Sequence, residues 1–380
     1  MIKLEHKDWN PDVKNRINDM MARVINSGKR HYAVVDWDNT FVYMDTSEVL
    51  LLEQIEKLKF NMTPSEMNFV LKKGVPKDNY KPNYKTENGK PINIDMIAQD
   101  IVNAYTALYN EYIVGNKSLE QIQKMEEYKE FITKYYYNYK AVIASFGAEI
   151  GYIWAKYSMT NLTEKEITEI TSNGIKKQLK EDIRTITLHS SNKLKSNTGL
   201  LKVDIAIGYR FVEPMQELAN VLQANGIDLY IISAAYQDVV APTVSNPSYG
   251  YNIYKQNVYA MQFEKEDGRS LPEYKKGYPV TFKEGKSKVI KELIAPKYDN
   301  QNPIFTAGDS DGDVAMMTDI DIDTVLVVNR NKGGLIGKLI DAAKMGNASI
   351  IVQGRDENTG KFIPTMETIK MKSDDKERVS

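Results

Sequence analysis

The chain has 380 residues, 42% of them hydrophobic, with 50 basic against 51 acidic side chains, three histidines and no cysteine. A net charge of -1 leaves no basic excess to recruit nucleic acid, and without thiols or clustered histidines (His6, His31 and His189 are scattered) a disulfide, a thiol nucleophile and a zinc centre are excluded. No apolar run approaches the roughly 20 residues of a bilayer span, while the length and apolar content suffice for a large core in two units.

Residues Met1 to Asp8 lack the apolar centre of a signal peptide. A cytoplasmic protein and an exported mature form both fit, with a lean towards export from the cysteine-free, tyrosine- and lysine-rich composition. Pro11 to Asn26 reads as a first helix, which Trp9 packs onto the core. His31 to Val35 is a valine-containing apolar run of strand length, and it leads into Asp36-Trp37-Asp38-Asn39-Thr40. Strands of an α/β sheet present their C-terminal ends to ligands. One carboxylate there can attack phosphorus to give an acyl phosphate, and a second, two positions on, can protonate the leaving oxygen and then activate water. Taken alone, such a pair also fits a solvated turn or a passive cation site.

From about Asp45 to Asp204 the chain reads as a long, mainly helical insertion. Thr63-Pro64-Ser65-Glu66 and Thr163-Glu164-Lys165-Glu166 are capping boxes. Asn93 to Ile113 and Leu119 to Ala144 space apolar and aromatic residues by three and four, as in Ile101, Ala104, Tyr105, Leu108 and Tyr112. Lys73 to Pro91 is a long loop. Tyr135, Tyr136, Tyr137 and Tyr139 cover every face of their helix, which suits packing or a partner surface better than a ligand cage. Lys176, Lys177 and Lys180 read as a solvated face. The insertion is expected to close over the strand ends as a lid that excludes water and selects substrate.

Val212 to Asn225 reads as a helix stopped by Gly226, and Leu229 to Ser233 as a second apolar strand ending on a hydroxyl. Asn257 to Phe282 holds two alternating stretches around Glu266-Asp267-Gly268-Arg269, expected as a hairpin of the core. Lys286 to Ile294 is helix-like. Pro303 to Ala307 is a third strand running into the acidic loop Gly308-Asp309-Ser310-Asp311-Gly312-Asp313. Thr324 to Asn329 and Ser349 to Val352 extend the sheet, and the residues after Thr368 are expected to fray.

In chain order these segments supply an acid pair, a hydroxyl, a lysine and an acid cluster. They resemble the motifs of the haloacid-dehalogenase superfamily, whose phosphatases carry D-x-D-x-T, Ser or Thr, Lys, and G-D-x-x-x-D. The resemblance implies that Asp36 is the nucleophile and Asp38 the general acid and base, with Ser233 and Lys286 on the phosphoryl group. It implies Mg²⁺ held by Asp36, the backbone carbonyl of Asp38 and Asp309, with Asp313 orienting the metal shell. Alternatives stand beside several of these. Ser233 also reads as an ordinary strand-end hydroxyl. Lys286 competes with Lys283 and Lys288, and is chosen because it follows Gly285 and precedes Ile290 by four. Asp311 competes with Asp313 but fits the spacing less well.

The chemistry asks for the same types. Four carboxylates on one spot repel by about 4 kcal/mol per close pair at an effective dielectric near 20, so a divalent cation and a lysine are required. Magnesium suits few carboxylates plus water and a phosphate better than a calcium cage does. Transfer then needs positioning and neutralisation of the phosphoryl oxygens.

The insertion resembles the helical cap of the phosphoserine and phosphorylcholine phosphatase families, and the latter more closely. Glu48 stands twelve positions after Asp36, where phosphorylcholine phosphatases carry a glutamate that meets the quaternary ammonium. Gly151 to Ala155, running into Leu162 to Ile167, resembles that family's cap pattern, and Asn39 stands where many superfamily members have glycine. A trimethylammonium group requires a carboxylate and aromatic faces within about 6 Å. Glu48 with Trp37, Tyr43, Tyr152 or Trp154 is the expected box, and Thr40 is counted with the substrate-binding residues. Tyr152 and Trp154 read equally well as cap core.

The expectation is an α/β protein with a Rossmann-like parallel-sheet core, residues 1–44 and 205–380, and an inserted helical cap, residues 45–204. The expected activity is Mg²⁺-dependent hydrolysis of a small phosphorylated metabolite, phosphocholine first and phosphoserine second. A phosphotransferase and a catalytically silent binding module are the rivals.

Overall fold

A computed structural model describes residues 1–372 and 376–378. Its centre is a six-stranded, all-parallel sheet in the order Ile350–Gln353, Thr324–Val328, Phe305–Gly308, His31–Val35, Ile227–Tyr236, Val258–Met261. The strands are short apolar runs because both faces are covered. Successive residues alternate between two cores. Ala33 and Val35 face the side packed by Pro11–Ile25 and Glu213–Ala224, whereas Tyr32 and Val34 face Val289, Ile290, Met316 and Ile336. From the central strand His31–Val35 the chain goes to one neighbour and later returns on the other side, which makes its C-terminal end the switch point where a ligand crevice opens. Trp9 is buried against Phe362 and donates to Glu217 at 3.0 Å.

Between the first two of these strands in sequence lie the helices Thr46–Glu56, Pro64–Lys72, Ile94–Leu108, Glu126–Phe146, Ala148–Lys156 and Glu164–Gln178, which share an apolar core of their own. Both capping boxes form, at Thr63 with Glu66 and at Thr163 with Glu166. Tyr135, Tyr136, Tyr137 and Tyr139 are buried in that core.

Several details differ from the sequence reading. The insertion is not helical throughout. Arg184–His189 and Lys202–Ile207 form an antiparallel hairpin, so a boundary at Asp204 cuts a strand. The Leu119 to Ala144 helix is broken into Leu119–Ile122 and Glu126–Phe146, each with its own start. The Phe263–Glu266 and Arg269–Tyr274 hairpin leaves the central sheet and bonds instead to the insertion, through Asn161 N to Ser270 O and Ser270 N to Leu162 O. The tail expected to fray lies partly outside the described residues. Of the rest, Ile369 exchanges backbone bonds with Arg355 and Glu357, and Lys376–Arg378 runs parallel to Arg184–His189. No helix among the described residues is long and apolar enough to cross a membrane.

Candidate active site

The strand ends build the site. Asp36 follows the central strand directly, and its N–H donates to Ala307 O at 2.9 Å, which ties the two acid-bearing strand ends together. Lys286 enters from the helix Glu284–Val289. It is 1% exposed, and its Nζ lies 2.6 Å from both Asp36 Oδ1 and Asp313 Oδ1. Asp313 is held from its other oxygen, which accepts from Asp309 N, Ser310 N and Ser310 Oγ at 3.0 Å each. Glycine is needed at 308 for this approach, since a Cβ there would sit 2.5 Å from Asp313 Cβ. Thr40 Oγ1 lies 3.2 Å from both Asp36 Oδ2 and Asp309 Oδ1.

Carboxylate oxygens of Asp36, Asp309 and Asp313 lie within 4.8 Å of one another and are all buried, an all-oxygen donor set that fits a hard divalent cation. Asp313 already accepts four hydrogen bonds and Asp309 three, whereas Asp36 accepts two.

Electrostatics follow from this crowding. Burial and then Asp313 push the Asp36 carboxyl up to about 8. Burial and Asp45 hold Asp38 well above the carboxylate range, against the hydrogen bonds that its Oδ1 accepts from Thr46 N at 2.7 Å and Thr46 Oγ1 at 2.6 Å. Burial would raise Asp309 too, but Arg330 Nη1 at 2.6 Å and Lys332 Nζ at 3.2 Å hold it down at about 2. Burial would lower Lys286, and Asp313 with Asp36 outweigh it.

Asp36, Asp38, Ser233, Lys286, Asp309 and Asp313 all line one cavity of about 100 Å³. Ser233 is 1% exposed, and its oxygen accepts from Ala235 N at 3.1 Å. The insertion supplies the far wall through Asp45, Tyr152 and Lys156, and Phe282 closes it edge-on against Tyr152 with ring centres 5.5 Å apart.

The expected ammonium box does not assemble. Trp37 is fully buried, packs on Tyr251 and donates from Nε1 to Thr46 Oγ1 at 2.9 Å. Tyr43 donates to Glu357 O at 2.8 Å and lies under the Arg355 guanidinium. Trp154 donates to Leu71 O at 2.8 Å and lines a separate cleft with Ile150 and Ile153. Glu48 accepts from Tyr136 at 2.9 Å, Tyr139 at 3.2 Å and Lys140 at 3.0 Å. Burial would raise it, yet Lys140 and the tyrosines keep it below its ordinary value. Thr40, expected among the substrate-binding residues, is fully buried against carboxylates and does not line the cavity.

Arg330, Lys332, Lys156, Asp45 and Phe282 were not singled out from the sequence. Arg330 and Lys332 stand just beyond the end of Thr324–Val328, so the strand-end rule that finds Asp36 reaches them as well. Tyr152 and Lys156 are four apart and share a helix face.

No protein-family model matches the chain. A conserved Anaerococcus prevotii protein of unknown function is 31% identical, with 98% of this chain and 100% of that chain covered and a TM-score of 0.92. The phosphorylcholine phosphatase of Pseudomonas aeruginosa is 43% identical over 49 residues, a stretch spanning 13% of this chain and 14% of that protein. A substrate-bound phosphoserine phosphatase is 9% identical, with 89% of this chain and 95% of that chain covered and a TM-score of 0.38.

Proposed function

We propose that the chain, which belongs to one family with the Anaerococcus prevotii protein, is a haloacid-dehalogenase-type, Mg²⁺-dependent phosphomonoesterase working through an aspartyl phosphate. The observation that carries the proposal is the Lys286 ammonium bridging Asp36 and Asp313 beside Asp309, at the switch point of the sheet. Asp36 and Asp309, with the Asp38 carbonyl, would hold the cation. A cation there would neutralise the carboxylates and the phosphoryl oxygens and so favour the ionised form of Asp36.

The chain's own groups then run both steps. An Asp36 oxygen attacks phosphorus as the ester P–O bond breaks, and the proton that Asp38 carries passes to the leaving alkoxide. Water next attacks the acyl phosphate and gives its proton to Asp38, and the Asp36–phosphorus bond breaks to release inorganic phosphate. Lys286 and the Ser233 hydroxyl hold the phosphoryl oxygens. The inserted segment acts as the lid, with Tyr152 and Lys156 turned to the cavity. In the test, p-nitrophenyl phosphate is hydrolysed with Mg²⁺, the activity is lost in excess EDTA, and it returns on adding Mg²⁺. Undiminished turnover in EDTA would remove the metal from the proposal.

Phosphocholine, favoured by the cap resemblance and the short Pseudomonas match, draws no support from the site, because Glu48 already neutralises Lys140. Glu48→Gln is therefore expected to change kcat/KM for phosphocholine and p-nitrophenyl phosphate by the same factor, within about threefold. A selective loss on phosphocholine would reinstate the ammonium box.

A further inference from the structure

Lys156 differs from the other cations of the cavity wall. Lys286 bonds Asp36 and Asp313, while Arg330 and Lys332 bond Asp309. Lys156 is only 6% exposed and lines the cavity, yet among the described residues its Nζ has no hydrogen-bond acceptor and no carboxylate within ion-pair distance. What it has is the face of Tyr152, with the ring centre 5.1 Å away. Its acidic neighbours are engaged elsewhere. Asp45 accepts from the backbone of Ser47 and Glu48, Asp38 from Thr46, and Glu48 from Lys140 and two tyrosines.

An ammonium on a side chain so largely buried, facing the cavity with no protein acceptor among the described residues, carries a desolvation cost, and burial pushes it down to about 8 despite the nearby acids. An anionic oxygen from outside would satisfy it. On the phosphomonoesterase reading the phosphoryl group would sit at the Asp36 and Lys286 end of the cavity of about 100 Å³, so the alcohol portion of an ester would point towards the wall made by the insertion.

We infer that Lys156 is the residue through which the insertion recognises the alcohol portion of the substrate, and that this portion carries an anionic oxygen, a carboxylate or a second phosphate. The inference rests on the phosphomonoesterase reading. It also disfavours a quaternary ammonium, which would meet a like charge.

The test compares wild type, Lys156→Met and Lys156→Arg, with saturating Mg²⁺, on 2-phosphoglycolate, glycerol 2-phosphate, phosphocholine and p-nitrophenyl phosphate. Wild type is expected to prefer 2-phosphoglycolate over glycerol 2-phosphate by about tenfold or more, and phosphocholine least. In Lys156→Met, kcat/KM for 2-phosphoglycolate should fall about 10²-fold further than for p-nitrophenyl phosphate, mainly through KM, with partial recovery in Lys156→Arg. Urea midpoints confirm that the variants fold. Equal losses on all four esters, or no preference for the anionic one, overturn the inference and leave the phosphatase intact. If wild type hydrolyses none of them, the phosphomonoesterase reading fails instead. Calorimetric binding of 2-phosphoglycolate then decides, with an affinity about 10²-fold lower in Lys156→Met supporting the recognition role and equal affinities overturning it.

Discussion

Asp36→Asn is expected to lower turnover of p-nitrophenyl phosphate by about 10⁴-fold or more, while making the metal-free protein more stable than wild type. The loss of rate follows from replacing the attacking oxygen by an amide. The gain in stability follows from the same crowding that equips the site. The Asp36 carboxyl is 6% exposed and close to Asp313 and Asp309, and it ionises only near pH 8, against about 3.9 for a carboxyl in the unfolded chain. Its folded pKa is raised, so the native state holds the proton more tightly, and stability from this group is full below about pH 4 and is lost as pH rises towards 8. Asparagine mimics the neutral form at every pH. In EDTA, the urea midpoint of the variant should exceed that of wild type at pH 8, and the gap should shrink at pH 5. A variant that is less stable than wild type at pH 8 would show that Lys286 more than offsets the repulsion. A variant that keeps its activity would remove Asp36 as nucleophile.

Much of the central sheet was legible because its strands are unbroken apolar runs ending in chemistry-bearing residues, as at Val35 before Asp36 and Ala307 before Gly308 and Asp309. Both faces of the sheet are covered, and that burial imprints itself directly on composition. The positions Asp36, Asp309 and Asp313 could be picked out for the same reason, since each stands at a strand end or in the loop that follows it, whereas Ser233 lies inside the strand Ile227–Tyr236, which runs three residues past the expected end, and Lys286 inside the helix Glu284–Val289. What the sequence hid depends on packing. Lys202–Ile207 alternates exposed and buried residues strictly, but within a long helical insertion that signal was passed over. The break at Gln123 to Met125 follows a one-turn helix with its own capping box at Ser118, a local stop that the three-four spacing does not reveal. Aromatic residues were the hardest to place, because Trp37, Tyr43 and Trp154 can face a ligand or a core equally well until their polar atoms find partners. Each of those polar atoms is satisfied by the protein, Trp37 by Thr46, Tyr43 by Glu357 and Trp154 by Leu71.

Lys286→Met should cost about 3–5 kcal/mol in metal-free stability, because it removes one partner from a buried cluster, leaving the Asp313 carboxylate without its ammonium and Asp36 Oδ1 without its hydrogen-bond donor. The methionine fills a similar volume, so the loss is electrostatic rather than a cavity effect. Saturating Mg²⁺ should return part of it, about 2.7 kcal/mol at a hundredfold excess over the dissociation constant if the variant still binds the ion. Turnover should stay low in the rescued protein, by about 10²- to 10³-fold, since the cation on the phosphoryl oxygens is missing even when the fold is restored. Lys288→Met is the control. That side chain is 57% exposed and lies 3.8 Å from Glu292 in a surface pair, so its loss should stay within about 0.5 kcal/mol and leave hydrolysis unchanged. The two variants therefore separate a lysine held inside the site from one on the solvated face of the same segment, a distinction that spacing alone left open. If Lys286→Met unfolded at the wild-type urea concentration and hydrolysed p-nitrophenyl phosphate normally, the cluster of Asp36, Asp313 and Lys286 would not be the centre of the chemistry.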